Sequence, residues 1–303
     1  MTARFLRWGL VGALALPVFL SGSVVQATSA SACGAGAPEL RVKPGGTEPP
    51  LFDKSQANAY GALKHQPTLP AGSVTVSTVF HVVTSTALTT AQKTRMTQMI
   101  TAQMNVLNAS YAGQTAPTAA NTPFRFTLTS TTWTVNAQWA TGAEGSVERA
   151  MKSALHVGNA RTLNVYATPD LGNDLLGYSY FPKGYNNGRG YLDGVVLLSE
   201  SMPGGNATDY NAGDTLVHET GHWFGLYHTF QNACSARGDY VSDTPSEAVP
   251  QFGCPVGADT CPAPGTDPVH NFMDYSTDSC MYEFTPGQAA RMSDSWLDFR
   301  ANG

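Results

Sequence analysis

The chain has 303 residues, 42% of them apolar and only 13% charged, with a formal net charge of −5. That length allows one large domain or two small ones. No cluster of Lys and Arg exists, which argues against nucleic acid as a partner.

Arg4 and Arg7 precede an apolar run from Trp8 to Leu20, followed by small residues. This is the pattern of a secretory signal covering 1–32, with cleavage after Ala27 or Ala32. A retained N-terminal anchor is the alternative, although the run is short for a membrane span. No later segment is long and apolar enough to cross a bilayer, so no stable membrane insertion is expected once the signal is removed. Residues 33–71 are rich in Pro, Gly and polar side chains and read as a pro-segment or N-terminal extension, with a short helix over Asp53–Lys64. A catalytic domain is expected over 72–303, split into 72–228 and 229–303.

Val74–Val83 is β-branched and strand-like. Leu88–Tyr111 carries Met96, Met99, Ile100, Met104 and Leu107 at helical spacing, with Thr89 or Thr90 as N-cap. That Met stripe reads as core. Phe124–Val135 alternates as a strand, Ser146–His156 reads as a helix, and Leu163–Ala167 as a strand. His156 reads as a helix-end residue. Leu176–Pro182 and Asp193–Leu198 follow as further strands, separated by a Gly/Asn-rich loop over Gly184–Gly190. The order β-α-β-α-β-β-β-α suits an α/β sandwich with a mixed sheet.

The chemistry concentrates in the next stretch, DTLVHETGHWFGLYH, over Asp214–His228, which opens as a helix. Residues i and i+4 are offset by about 40° around a helix axis. His218 and His222 therefore share a face and can chelate one zinc ion. Glu219 lies beside them as a base for a metal-activated water. Gly225 lets the chain leave the helix, and the turn returns His228 as a third ligand. Three protein ligands leave a fourth position open, the mark of a catalytic site. HExxH alone arises often by chance; the added Gly and third His make the pattern far more specific. Trp223 and Phe224 read as packing residues.

Beyond His228 regular pattern is lost until Thr285, where Pro286 opens a closing helix. Cys234, Cys254, Cys261 and Cys280 can staple this irregular stretch, and a secreted chain permits disulfides. Four cysteines allow three pairings. No CxxC pair is present, which argues against a second zinc site. Asp239, Val241, Asp243 and Thr244 offer oxygen ligands suited to Ca²⁺. Their spacing is not that of an EF-hand, and solvated turn residues are the alternative.

Downstream, Asn271-Phe-Met273-Asp-Tyr275-Ser276 resembles the Met-turn of metzincin peptidases. HETGHWFGLYHTF, the Cys-rich stretch and HNFMDYSTDSCMYEFTPGQ together resemble the pappalysin (M43) family in particular. The resemblance covers roughly Leu176–Met292, and the upstream half by element order. It implies a metzincin-like zinc protease domain of α/β (α+β) class. Such a domain has a mixed, mostly parallel twisted sheet, an active-site helix and a disulfide-stapled C-terminal subdomain ending in a helix. It implies a secreted, extracellular, monomeric endopeptidase acting on polypeptides through zinc held by His218, His222 and His228, with Glu219 as general base. Met273 would support the floor of the site without ligating, and Tyr275 would approach the zinc or donate to the developing oxyanion. Leu176–Pro182 would be an edge strand lining the cleft, onto which an extended peptide could add. The resemblance also raises Ca²⁺ as a second cation and selects the pairings Cys234–Cys261 and Cys254–Cys280. Cys33, in Ala-Cys-Gly, would then be the odd thiol. A zinc-ligating latency switch, lipidation and an ordinary free cysteine are its three readings. A binding or adhesive module on this fold would be expected to lose Glu219 or a ligand. A non-proteolytic zinc hydrolase seldom carries the third His with a Met-turn.

Overall fold

The computed structural model describes residues 1–2, 38–46, 61, 63–142, 144–172 and 174–303. The signal, Cys33 and nearly all of the expected Asp53–Lys64 helix lie outside them. The chain divides at Cys33, and the unit Gly34–Gly303 is the one described here.

Six strands form one sheet: β1 (Glu39–Val42), β2 (Val74–Thr84), β3 (Phe124–Val135), β4 (Thr162–Thr168), β5 (Leu175–Ser179) and β6 (Val195–Leu198). Their spatial order is β1-β5-β6-β4-β2-β3. β2 pairs parallel with β3 and β4, and β4 with β6, while β5 runs antiparallel to both of its neighbours. Among the described residues, four α-helices accompany the sheet: α1 (Thr90–Tyr111), α2 (Ser146–Leu155), α3 (Asp214–Trp223) and α4 (Pro286–Phe299).

Alternation along the strands sorts side chains onto two faces, because successive Cβ atoms point opposite ways. Val76, Phe80, Val82, Leu163, Val165, Ala167, Val195 and Leu197 join the core shared with α1, α3 and α4. Val83, Tyr166, Tyr178 and Val196 face the opposite way, onto a smaller core with Met151 of α2. The Met stripe of α1 is buried in the larger core, as are Trp223 and Phe224. α1 begins with a reciprocal cap between Thr89 and Gln92, and α4 with the same device between Thr285 and Gln288. His156 follows the last residue of α2, its N–H donating to Lys152 O.

Residues 63–69 lie along α4. The Lys64, Gln66 and Leu69 amides donate to Asp298, Asp294 and Ser293 at 3.1, 3.0 and 2.9 Å. The C-terminal end of α4 is locked onto α3 by a buried ion pair. Arg300 donates to both Asp193 oxygens at 3.0 and 2.9 Å, while Trp223 Nε1 donates to Asp193 at 2.8 Å. Between Trp223 and Pro286 no helix or strand forms; Cys234–Cys261 and Cys254–Cys280 are bonded across that stretch.

One expectation is corrected by the sheet. Leu176–Pro182 was expected to be an edge strand, but its counterpart β5 is interior: β1 covers its outer side, with Leu40 opposite Tyr178 and Arg41 opposite Gly177. β5 ends at Ser179, and Pro182 instead opens a short 3-10 turn. The physical reason is that an unpaired row of N–H and C=O groups is a template for any extended segment. The chain's own N-terminal extension supplies one.

Candidate active site

α3 carries the first two imidazoles, and the chain must turn sharply to bring the third. Gly225 makes that turn at φ +89°, its N–H donating to His222 O at 2.8 Å, while Leu226 N donates to Gly221 O at 3.0 Å. A Cβ on Gly225 would lie 2.8 Å from Ser295 Oγ, so both conformation and space require glycine. The Met-turn then closes the floor. Met273 is fully buried, and a Cβ on Gly221 would fall 2.4 Å from its sulfur. Thr229 N donates to Met273 O at 3.2 Å, tying the chain past the third imidazole to this floor.

The three imidazoles converge. His218 Nε2 lies 3.0 Å from His222 Nε2 and 3.2 Å from His228 Nε2, and the last two are 3.1 Å apart. Two of the other ring nitrogens are hydrogen-bonded, and the third faces a carboxylate. His218 Nδ1–H donates to Phe272 O at 2.6 Å, His222 Nδ1–H donates to Leu226 O at 2.7 Å, and His228 Nδ1 faces Glu39 Oε2 at 3.1 Å. In His218 and His222, donation through Nδ1 leaves the lone pair on Nε2. All three rings are fully buried, and burial pushes their pKa values down: well below the ordinary range for His218, to about 3 for His222 and His228. Three neutral nitrogens turning lone pairs at one another repel unless a cation stands between them. The donor set and its backbone-anchored orientation fit a zinc ion.

Glu219 is fully buried beside them. Ser179 Oγ donates to its Oε2 at 3.0 Å and to its backbone O at 2.8 Å. Burial pushes its carboxyl well above the usual range; the Ser179 hydroxyl, the Arg41 charge and the Arg41 backbone N–H pull the other way. Tyr275 is fully buried, its ring 4.9 Å from that of His228, and its hydroxyl donates to Leu40 O at 2.6 Å. Tyr275 therefore stands where an oxyanion donor would stand.

Sequence reading missed what fills the cleft. Glu39, Leu40 and Arg41 of β1 lie across it, with Leu40 O 3.2 Å from His228 Nε2. The Arg41 side chain, fully buried, enters a pocket past α3. It donates to Thr215 Oγ1 at 3.0 Å and Ser276 O at 2.8 Å, pairs with Asp278 at 3.1 Å, and lies 5.3 Å from the Tyr210 ring centre. Asp278 is itself fixed by the amides just before α3, accepting from Ala212 N and Gly213 N at 2.8 and 3.1 Å. Asp278 had a visible signal, a carboxylate five residues past the Met-turn methionine; the four residues of β1 had none.

Of the four oxygen-bearing residues read as a calcium site, two carboxylates accept hydrogen bonds from the chain around them. Asp239 accepts from Val241 N at 3.0 Å, whereas Asp243 caps α4, accepting from Thr285 Oγ1 and Gly287 N, both at 2.8 Å. Among the described residues, the groups of at least three His, Cys, Asp or Glu side chains that converge are His218–His222–His228 and Cys254–His270–Cys280. In the second, both sulfurs belong to a disulfide. Cys33 lies outside the described residues; the group held against the imidazoles is the Leu40 carbonyl.

The family described as Peptidase M43, pregnancy-associated plasma protein-A, matches residues 150–297. An extracellular metalloprotease of Neurospora crassa is 44% identical over 298 residues, 97% of each chain. Extracellular metalloprotease 1 of Coccidioides posadasii is 47% identical over 75% of this chain and 79% of its own. Among solved structures, mature mirolysin of Tannerella forsythia in complex with a cleaved peptide superposes with a TM-score of 0.60 at 28% identity, covering 74% of this chain and 91% of that one. A promirolysin mutant of the same organism gives 0.63 at 26% identity, over 82% and 86%. With the three converged imidazoles, the adjoining glutamate and the Met-turn beneath them, these likenesses establish that the chain belongs to the pappalysin (M43) family of metzincin zinc metalloendopeptidases.

Proposed function

We propose that the chain is a secreted precursor whose mature form hydrolyses peptide bonds of extracellular proteins, with zinc held by His218, His222 and His228 and Glu219 as general base. The observation that carries this reading is the convergence of three buried Nε2 atoms 3.0–3.2 Å apart with Glu219 buried beside them. Bound there, zinc would polarise the scissile carbonyl and lower the pKa of a water. Glu219 takes a proton from that water and delivers it to the departing amine, a task suited to a carboxyl whose pKa burial has raised. The Ser179 hydroxyl fixes the carboxylate for that transfer. Tyr275 donates to the carbonyl oxygen as charge develops on it. The substrate lies as an added strand along β5, where main-chain pairing gives affinity regardless of sequence and the pocket of Asp278 selects one side chain. Extracellular action is supported by the names of the relatives, and no helix among the described residues is long and apolar enough to cross a membrane. Residues 33–71 act as the pro-segment, of which β1 blocks the cleft in the precursor.

The test is Glu219→Ala, assayed on casein with metal analysis alongside. Proteolysis should vanish while zinc stays near one per chain, because Glu219 is not a ligand. Retained proteolysis, or loss of the metal, would overturn the assignment.

A further inference from the structure

Three residues, Gly225–Tyr227, make the turn between the second imidazole and the third. Its middle carbonyl, Leu226 O, accepts the His222 Nδ1–H at 2.7 Å, and its last residue adjoins His228. A displacement of this turn therefore disturbs two of the three imidazoles. Past the end of a helix the carbonyls lack helical donors, and here a side chain from another helix supplies one. Arg291 of α4 donates through Nε to Gly225 O at 3.0 Å, and its guanidinium carbon lies 5.2 Å from the centre of the Tyr227 ring. It thus holds both ends of the turn. On its far side Nη1 donates to Gly61 O at 3.1 Å, and the Tyr240 ring centre lies 5.8 Å away. Arg291 is buried, and among the described residues it makes no ion pair. Burial pushes its pKa below the ordinary range. A buried cation without a carboxylate partner costs more than an apolar side chain of similar volume, so packing alone does not call for it. The Gly225 carbonyl and the Tyr227 ring do, because a planar guanidinium donates in its plane and stacks through its face at once.

From this arrangement we infer that Arg291 is a positioning residue of the zinc site, one that presets the turn carrying the third ligand before the metal arrives. The inference rests on the zinc reading above and deepens it. His218 and His222 are fixed relative to each other by the helix that bears both. His228 stands outside that helix, and a free turn would have to be ordered at the moment zinc binds, at a cost in entropy. Arg291 orders the turn during folding, so the metal finds three nitrogens already aimed at one point. Without Arg291 the first two imidazoles keep their spacing, while the third ligand and the Leu226 acceptor of His222 loosen. Zinc then binds more weakly and leaves faster. A bound ion also sits less well placed against Glu219, which lowers turnover more than substrate binding, since β5 and the pocket of Asp278 are left intact.

The experiment measures the zinc affinity of the full-length chain by competition with a chromophoric chelator, and hydrolysis of an internally quenched peptide by the zinc-saturated mature enzyme. Arg291→Met keeps a long side chain in place and removes the carbonyl donor and the guanidinium plane. It should weaken zinc binding about thirtyfold and lower kcat about tenfold, within the range for groups that orient metal ligands, with KM changed only a few-fold. Arg291→Lys keeps the charge and a donor but not the plane, so its zinc affinity should lie between those of the parent and Arg291→Met. This ordering separates positioning from packing, because Met fills the space at least as well as Lys. Zinc affinity in Arg291→Met within about twofold of the parent, with only the melting temperature lowered, makes Arg291 a packing residue and overturns the inference. A Lys variant that binds zinc no better than Arg291→Met overturns it as well. If Arg291→Met does not fold, Arg291→Lys decides alone: a loss of affinity beyond about twofold upholds the inference, and a smaller one overturns it. A parent chain that binds no zinc overturns the zinc reading and this inference with it.

Discussion

Replacing Tyr275 by Phe isolates a single atom of the catalytic site. The ring is fully buried among His228, Phe230 and Phe252, with centroids at 4.9, 5.0 and 5.7 Å, so a Phe ring keeps every packing contact. What disappears is the hydroxyl 2.6 Å from the docked Leu40 carbonyl. Against a neutral carbonyl that bond is worth about 1 kcal/mol. Against an oxygen that is gaining negative charge in a buried site it is worth about 3 kcal/mol, or about a hundredfold in kcat. The difference falls on the transition state, so kcat should drop while KM stays within a few-fold. The assay is steady-state hydrolysis of an internally quenched peptide by mature enzyme, with thermal melting and zinc content as controls for the fold. If Tyr275→Phe keeps kcat within threefold of the parent at normal zinc content, Tyr275 is a packing residue and its place above the imidazoles is incidental.

Removing zinc with a chelator should abolish proteolysis and lower the melting temperature, since the facing Nε2 atoms lose the cation that reconciles them; an unchanged melting curve would argue that no metal binds there. Gly225→Ala should cost about 2 kcal/mol and reduce zinc occupancy, because φ +89° strains any Cβ and Ser295 Oγ stands in its way; denaturant melts and metal analysis read both effects. Mutating Cys254 and Cys280 together to Ala opens a 26-residue separation, and melting should fall by about 10 °C for a loss of about 3 kcal/mol. Burial pushes the Glu247 and Asp274 carboxyls above their ordinary range, with the Asp274 charge adding to the rise on Glu247 and the Asp267 charge to that on Asp274. Their folded-state pKa values exceed the unfolded ones, so the stability they confer is present in acid and lost as pH rises through neutrality. The melting temperature should therefore fall from pH 5 to pH 8, and less steeply in Glu247→Gln; equal slopes would refute the linkage.

The catalytic helix could be read from the chain because its chemistry is local. His218, Glu219 and His222 are fixed relative to one another by helical geometry, and Gly225 announces the turn that returns His228. The elements of the sheet were legible for the same reason. β3 spans Phe124–Val135 as its alternation implies, and α2 covers Ser146–Leu155 with His156 at its end. Partners fixed by tertiary contact were not legible. The Arg300–Asp193 pair that clamps α4 onto the C-terminal end of α3 joins residues 107 apart, and nothing around either one marks it. β1 is the sharper case. Glu-Leu-Arg-Val is too short for its alternation to register against a Pro- and Gly-rich background, and its pairing with β5 spans more than a hundred residues. Its strand state is dictated by the template it meets, since an unpaired β5 edge offers hydrogen bonds to any extended backbone. The same demand explains the functional consequence. β1 meets that demand by pairing with β5, and the buried Arg41–Asp278 pair fixes the register that brings the Leu40 carbonyl to the imidazoles.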